Sequence, residues 1–140
     1  MSTFKSFEDI EAWNRSRALC NRIFELTQRS EFWKDFELKN QINASSGSVM
    51  DNISEGFERN NKKEFINFLR YSKGSCGEVR SQIYRAHDRK YISDSEKEEI
   101  ILECKKISSM LSSLIIYLRK ESFKSGLKFI FNLITFKSFI

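Results

Sequence analysis

Residues Gln41–Gly56, QINASSGSVMDNISEG, decide the fold of this chain together with a second stretch, Asn61–Ala86. Apolar residues recur in both at three- and four-residue steps, which places their side chains on one face of an α-helix. Each stretch also has a central run rich in small residues, Ala44–Ser48 and Ser72–Gly77. Ser and Gly are poorer helix formers than Ala, Gly by about 1 kcal/mol, so close packing must keep these runs helical. We therefore predict an antiparallel pair that turns at Arg59–Asn60, with its small residues in contact.

The pairing predicts which side chains face one another. It places Ser45 opposite Ser75 or Cys76, and Ser48 opposite Ser72. The first helix of the pair is predicted to begin near Asp35, an N-cap residue type, and the second at Asn61. Gly56 is predicted to end the first helix in the left-handed conformation, which needs no Cβ.

Two further helices are predicted, one on each side of this pair. The earlier one runs from about Phe7 to Arg29, and residues 30–34 are expected to be a connection. The later one opens with Ser93 and Glu96, which have the spacing of a capping box, and ends near Lys120.

The composition agrees with an all-α class. The 140 residues suit one domain, and they include no Pro and only 5 Gly, whereas strand-rich domains need frequent turn residues. Four helices with short connections predict an antiparallel up-down-up-down four-helix bundle over residues 4–121.

Residues 122–140, SFKSGLKFIFNLITFKSFI, form an apolar and basic extension without an acidic residue. Gly126 is expected to separate it from the last helix of the bundle. We predict that it packs on the bundle or on a neighbouring subunit, in preference to a membrane surface. An extension without function is the remaining alternative.

Two rows of basic residues are candidates for binding nucleic acid. They are Arg15, Arg22 and Arg29 on the first helix, and Lys63, Arg70, Lys73 and Arg80 on the third. A solvated helix face is the default explanation of such rows, and a phosphate-binding edge is the alternative. Lys124, Lys128 and Lys137 account for +3 of the formal charge of +5, which leaves +2 for residues 1–121. Such a mildly basic body permits contact with RNA or DNA.

Polar residues at the predicted helix interfaces need hydrogen-bond partners. The residues concerned are Gln41, Asn52, Glu55 and Glu78, and the pairing places Gln41 opposite Glu78 and Glu55 near Glu64. We interpret them as a structural polar network that fixes helix register or subunit contacts, with a small polar pocket as the alternative.

No catalytic, metal or cofactor site is predicted. His87 is the only histidine, which excludes an HExxH site within this chain, and no Ser-His-Asp arrangement is predicted around it. Cys20, Cys76 and Cys104 occur without a CxxC spacing, so buried free thiols in a reducing cytoplasm are expected. The sequence shows neither a signal peptide nor an apolar segment of about 20 residues that would span a membrane.

Several short motifs resemble the 23S ribosomal RNA intervening-sequence protein family, also called the four-helix-bundle protein family. They are Gln41-Ile42, Asn52-Ile53, Glu55-Gly56, Glu64-Phe65, Phe68-Leu69, Gly74-Ser75 and Glu78-Val79. The resemblance extends over roughly residues 4–120.

The resemblance implies an up-down bundle that assembles as a homopentamer and has no enzymatic activity. The family is also similar to the accessory protein of diversity-generating retroelements, which associates with nucleic acid and reverse transcriptase. The leading hypothesis is therefore a pentameric scaffold that binds RNA or DNA weakly through its basic helix faces. The alternative is a protein-partner adaptor, for example for a reverse transcriptase, without direct nucleic-acid contact.

Overall fold

The computed structural model describes residues 4–137, with the side chains of all of these except 122–126, 128–131 and 134–137. Regular structure in this part of the chain is helical throughout. A short 3-10 turn at Phe7–Asp9 is followed by α1 (Glu11–Thr27), α2 (Ser30–Lys34), α3 (Phe36–Glu58), α4 (Lys62–Asp88) and α5 (Asp94–Lys137). The predicted all-α class is confirmed.

The four long helices pack antiparallel around one core. α3 and α4 share the most extensive seam, α1 packs against α3, and α4 packs against α5. α1 and α5 meet along the loosest seam and close the bundle. All four helices contribute fully buried apolar side chains, among them Leu19, Ile23, Ile42, Val49, Ile53, Leu69, Val79, Ile83, Ile107 and Leu111. The up-down-up-down bundle is therefore confirmed as the architecture.

Local hydrogen bonds at the helix starts follow the sequence signals. The Asp35 carboxylate accepts from the backbone N–H three residues on, at 3.2 Å, and Asn61 Oδ1 accepts from Glu64 N at 3.0 Å. Ser93 and Glu96 form the reciprocal capping box, with distances of 2.9 and 3.2 Å. Each cap satisfies backbone donors that have no partner within the first turn of a helix.

Three predicted boundaries are wrong. Residues 30–34 form the short helix α2 rather than a connection, because Phe32 is buried and stacks on Tyr91 with ring centres 5.1 Å apart. The first helix begins at Glu11, since Ile10 has an extended backbone. The expected break at Gly126 is not found either, and the backbone of α5 is helical to Lys137. A single Gly costs a helix only about 1 kcal/mol, which its neighbours can offset.

The small residues of α3 and α4 do meet, but one helical turn away from the predicted register. Ser75 Oγ donates to Ser48 Oγ at 3.1 Å, and Ser72 Oγ donates to the backbone oxygen of Val49 at 2.6 Å. Ser48 was predicted to face Ser72, so the partner helix is displaced by about one turn. Such a shift keeps small residues against small residues, and the pattern alone does not distinguish the two registers.

Among the glycines of the pair, only Gly56 lies at a close approach between the helices. A Cβ built on Gly56 would lie 2.5 Å from Phe68 Cβ, whereas nothing lies within 4 Å of one built on Gly47, Gly74 or Gly77. The predicted left-handed conformation of Gly56 is wrong, because this residue lies inside α3. The left-handed residue of the turn is Asn60, with a φ of 52°. Gly56 is needed for space rather than for backbone freedom.

Membrane insertion through a spanning helix is not indicated for the described residues. None of their helices combines the length with the apolar character that crossing a bilayer requires.

Candidate nucleic-acid interface

Three arginines, two on α1 and one directly before α2, are paired with three glutamates of α5. The pairs are Arg15–Glu103, Arg22–Glu99 and Arg29–Glu96. Arg15 donates from Nε and Nη2 to the two carboxylate oxygens of Glu103, both at 2.9 Å. The row of pairs bridges the loose α1–α5 seam, above a shallow cleft of about 510 Å³ whose apolar lining includes Leu19 and Ile100.

The arginines that the sequence predicted as phosphate-binding residues are therefore already ion-paired within the protein. The hydrogen bond to Glu103 raises the pKa of Arg15, and the hydrogen bond to Glu99 does the same for the pKa of Arg22. A phosphate at either arginine would have to displace a carboxylate that is already in place. Nucleic-acid binding by this row of arginines stays a prediction. The contacts observed for these arginines are ion pairs that connect two parts of the bundle.

The pairing of Glu96 predicts an acid-sensitive contribution to stability. The hydrogen bond from Arg29, together with the cap contacts at Ser93, lowers the pKa of Glu96 from 4.5 to about 2. Because the unfolded chain takes up this proton first, the contribution is complete above about pH 4.5 and disappears as the pH falls towards 2. We expect the wild type to lose about 1 kcal/mol more than Glu96→Gln between pH 6 and pH 2.5, since solvent screens this pair. Urea unfolding at both pH values measures the difference, and parallel pH profiles would contradict the assignment.

The basic residues predicted on α4 lie in a different setting from those of α1. The basic face of α4 consists of Lys63, Arg70, Lys73 and Arg80. Lys63 and Arg70 are exposed, and neither side chain has a hydrogen bond or an ion pair with another described residue. Lys73 Nζ crosses to α5, where it donates to Ser112 Oγ at 2.6 Å and to Ser108 Oγ at 2.8 Å. Its charge is hydrogen-bonded but faces no carboxylate.

The seam between α4 and α5 adds further basic residues that sequence reasoning missed. Lys105 precedes Ser108 by about one turn, so it shares the side of α5 that Lys73 contacts. Lys97 lies further along the same seam, with its Nζ 5.8 Å from the ring centre of Tyr84 and 3.7 Å from a carboxylate oxygen of Glu98. Arg80 is half-buried in this region, and its Nε has no hydrogen-bond partner among the described residues. Only the antiparallel packing of α4 on α5 brings these charges together.

The polar residues predicted as one network are divided among separate contacts. Gln41 Oε1 accepts from Arg85 Nη2 at 2.7 Å and does not pair with Glu78. Glu78 accepts from Ser45 Oγ at 3.3 Å instead. Both differences follow from the shift in register between α3 and α4.

Asn52 and Glu55 have partners within their own helix. Asn52 Nδ2 donates to the backbone oxygen of Ser48 at 2.8 Å and to its hydroxyl at 2.9 Å, and this hydroxyl also accepts from Ser75. Glu55 pairs with Arg59 at 3.0 Å rather than lying against Glu64. These contacts link α3 to α4 at the serines, and the geometry is that of helix packing.

The cysteines have the properties of buried thiols. Burial raises the pKa of Cys76 to about 11 and that of Cys104 to about 12, which keeps both protonated at neutral pH. Cys20 is half-buried, and all three are free. Within the described residues, no group of three or more His, Cys, Asp and Glu side chains converges to hold a metal ion.

Comparison with known proteins gives a family and a fold. A family model described as "23S rRNA-intervening sequence protein" matches residues 8–113 of this chain. A crystal structure of a protein with unknown function from the S23 ribosomal protein family of Bacteroides thetaiotaomicron is similar, with a TM-score of 0.68 and 23% identity. That match covers 74% of this chain and 97% of the other. No curated protein matches the sequence. Neither description names an enzymatic activity.

Proposed function

Because the chain belongs to the 23S rRNA-intervening sequence protein family, we propose that it is a non-enzymatic, homopentameric scaffold that binds RNA or DNA weakly. The nucleic acid would contact the basic face of α4 together with the neighbouring residues of α5. The observation that carries the proposal is the contrast between the two basic rows. Arg15, Arg22 and Arg29 are each paired with a glutamate, whereas Lys63 and Arg70 of α4 are exposed and have no acidic partner among the described side chains.

Weak binding follows from the charge of one subunit. Residues 1–121 carry a formal charge of only +2, because Lys124, Lys128 and Lys137 supply +3 of the total of +5. A subunit with so small a net charge gains little from phosphate contacts, so its affinity at physiological salt is expected to be modest. Assembly would repeat the basic face on each subunit, so that several contacts act on one strand and raise the overall affinity.

Removal of the exposed charges of this face tests the proposal. The test uses a triple variant, Lys63→Gln, Arg70→Gln, Lys105→Gln, which leaves the Lys73 contacts intact. We expect this variant to bind a single-stranded oligonucleotide at least about tenfold more weakly than the wild type at low salt. The slope of log K against log salt should fall by about 2, since each lost phosphate contact on a single strand contributes about 0.7. Fluorescence anisotropy between 25 and 200 mM salt measures both quantities.

A matched control removes the same charge from elsewhere on the surface. Lys5→Gln, Arg17→Gln, Lys34→Gln also lowers the charge by three, and none of these side chains lies on α4. Equal losses in the two triple variants would mean that net charge alone drives binding. Absence of binding by the wild type at low salt would overturn the nucleic-acid part of the proposal.

The assembly is tested separately by mass. One chain has a mass of 16.6 kDa, and light scattering should give about five times this value. Charge reversal at Arg15, Arg22 and Arg29 is a poor test of nucleic-acid binding, because it would also break the bridge between α1 and α5.

A protein-partner adaptor is the second candidate function. It is favoured by apolar side chains on the outer face of α5, where Leu102 is 63% and Ile116 is 51% exposed. An adaptor would bind its partner, for example a reverse transcriptase, equally well after the charge removals on α4. Loss of partner binding in Leu102→Ser, Ile116→Ser with unchanged oligonucleotide affinity would favour this function.

A further inference from the structure

A pocket of about 500 Å³ lies between α1 and α3, beside the short helix α2. The residues that define its chemistry are Asn21, Phe24, Gln28, Trp33, Lys39 and Asn40. It lies on a different side of the bundle from the α4–α5 seam, so it shares no residue with the proposed interface.

Lys39 is the unusual residue of this pocket. Lys39 is only 9% exposed, yet its ammonium group has no hydrogen bond or ion pair with any described residue. Its Nζ lies 3.6 Å from the ring centre of Trp33 and 4.6 Å from that of Phe36. Buried lysines are almost always paired, and aromatic rings compensate an ammonium charge only in part. The charge therefore lacks an anionic partner in the part of the chain that the structure describes.

The backbone that carries Lys39 is held in place. Asn43 Nδ2 donates to the backbone oxygen of Lys39 at 2.9 Å and to Thr27 Oγ1 at 3.1 Å, which ties this turn of α3 to the end of α1. The backbone from which the Lys39 side chain extends is thus held in place before any ligand arrives, and the rings of Trp33 and Phe36 limit the positions open to its ammonium group.

The remaining walls of the pocket provide planar and polar surfaces. Phe24 is 57% and Trp33 is 45% exposed, and both rings line the pocket. The amide side chains of Asn21, Gln28 and Asn40 make no hydrogen bond with other described residues, so their donors and acceptors are available. Aromatic faces stack on bases, and amides bond to base edges.

We propose that this pocket binds one nucleotide unit, a nucleobase with its phosphate. The phosphate would pair with Lys39, the base would stack on Phe24 or Trp33, and the free amides would bond to the base edge. The unit comes either from a free mononucleotide or from an unpaired nucleotide of a strand. Binding here does not require the basic face of α4, and either site can fail without the other.

Tryptophan emission tests the proposal directly. In a Trp13→Phe background, Trp33 is the only tryptophan. We expect nucleoside monophosphates to quench it at saturable concentrations, and adenosine without a phosphate to bind at least tenfold more weakly. Lys39→Met keeps an apolar stem against the rings and should weaken nucleotide binding at least tenfold. Lys34→Met removes an exposed charge nearby and should leave binding unchanged.

A second variant tests the pocket if Lys39→Met does not fold, and a second ligand distinguishes a free nucleotide from a nucleotide of a strand. Asn40→Ala changes an exposed residue and should weaken binding even if Lys39→Met unfolds the protein. Quenching by a single-stranded hexanucleotide but not by mononucleotides assigns the site to a strand, and the reverse assigns it to a free nucleotide.

The triple variant of the basic face should retain the quenching. Absence of quenching by both ligands, or quenching that Lys39→Met and Asn40→Ala leave unchanged, would overturn the proposal. Trp33 emission that varies only with protein concentration would also overturn it, because the pocket would then be a subunit contact.

Discussion

Replacement of Gly56 with alanine is expected to destabilise the protein by about 2 kcal/mol. The added Cβ would lie 2.5 Å from Phe68 Cβ and 3.1 Å from a ring carbon of Phe65. A Cβ atom moves only with its backbone, so α3 and α4 must separate at this point, and overpacking of this kind costs about 1–3 kcal/mol. The better helix propensity of Ala returns about 1 kcal/mol. We place the overpacking cost at the upper end of its range, about 3 kcal/mol, because the contact involves backbone-anchored atoms of a packed seam, and this leaves a net loss of about 2 kcal/mol.

Gly77→Ala is the matched control for Gly56→Ala. Both glycines lie inside helices, but nothing lies within 4 Å of a Cβ on Gly77. This variant should therefore be more stable than the wild type by up to about 1 kcal/mol. If the Gly56–Phe68 contact causes the loss of stability, urea unfolding will show changes of opposite sign in the free energy of unfolding of the two variants. Equal changes in the two variants would show that it is not.

Ser72→Leu is expected to cost about 3 kcal/mol. Ser72 is completely buried, and its hydroxyl lies 2.6 Å from the backbone oxygen of Val49 on the facing helix. A leucine at this position needs space that the seam does not contain, and it also removes the hydrogen bond between the helices. The midpoint of thermal unfolding should fall by several degrees, and the urea midpoint should fall with it.

Gly74→Leu separates this effect from a general cost of adding a large side chain to α4. Gly74 is exposed two residues after Ser72, with nothing near its missing Cβ. We expect a change smaller than about 0.5 kcal/mol or a modest gain. A loss at Gly74 comparable with that at Ser72 would mean that this part of the helix faces a partner in the folded assembly.

The sequence pattern predicted the helices well where the signals are local. The caps at Asp35, Asn61 and Ser93 were all identified, because the residues of a helix cap are neighbours in the chain. The boundaries that failed depend on distant contacts. α2 exists because Phe32 is buried against Tyr91, which follows 59 residues later in the chain.

The candidate sites were predicted less completely, for the same reason. Arg15, Arg22 and Arg29 were identified as a row, but their glutamate partners lie 67–88 residues further along the chain. Their pairing follows from closure of the bundle between α1 and α5. Lys97 and Lys105 joined the basic face only through the packing of α5 on α4, and the burial of Lys39 follows from the rings of α2 and α3.

The sequence by itself determined the helical class, the order of the long helices and the contact between two segments rich in small residues. Helical periodicity and capping residues act over a few positions, so they can be read directly from the chain. The tertiary structure alone decided the register of α3 on α4, the glycine that permits their close approach and which charges remain unpaired. A shift of one turn preserves the pattern of small and apolar residues, whereas the close fit of Phe68 over Gly56 depends on the observed register.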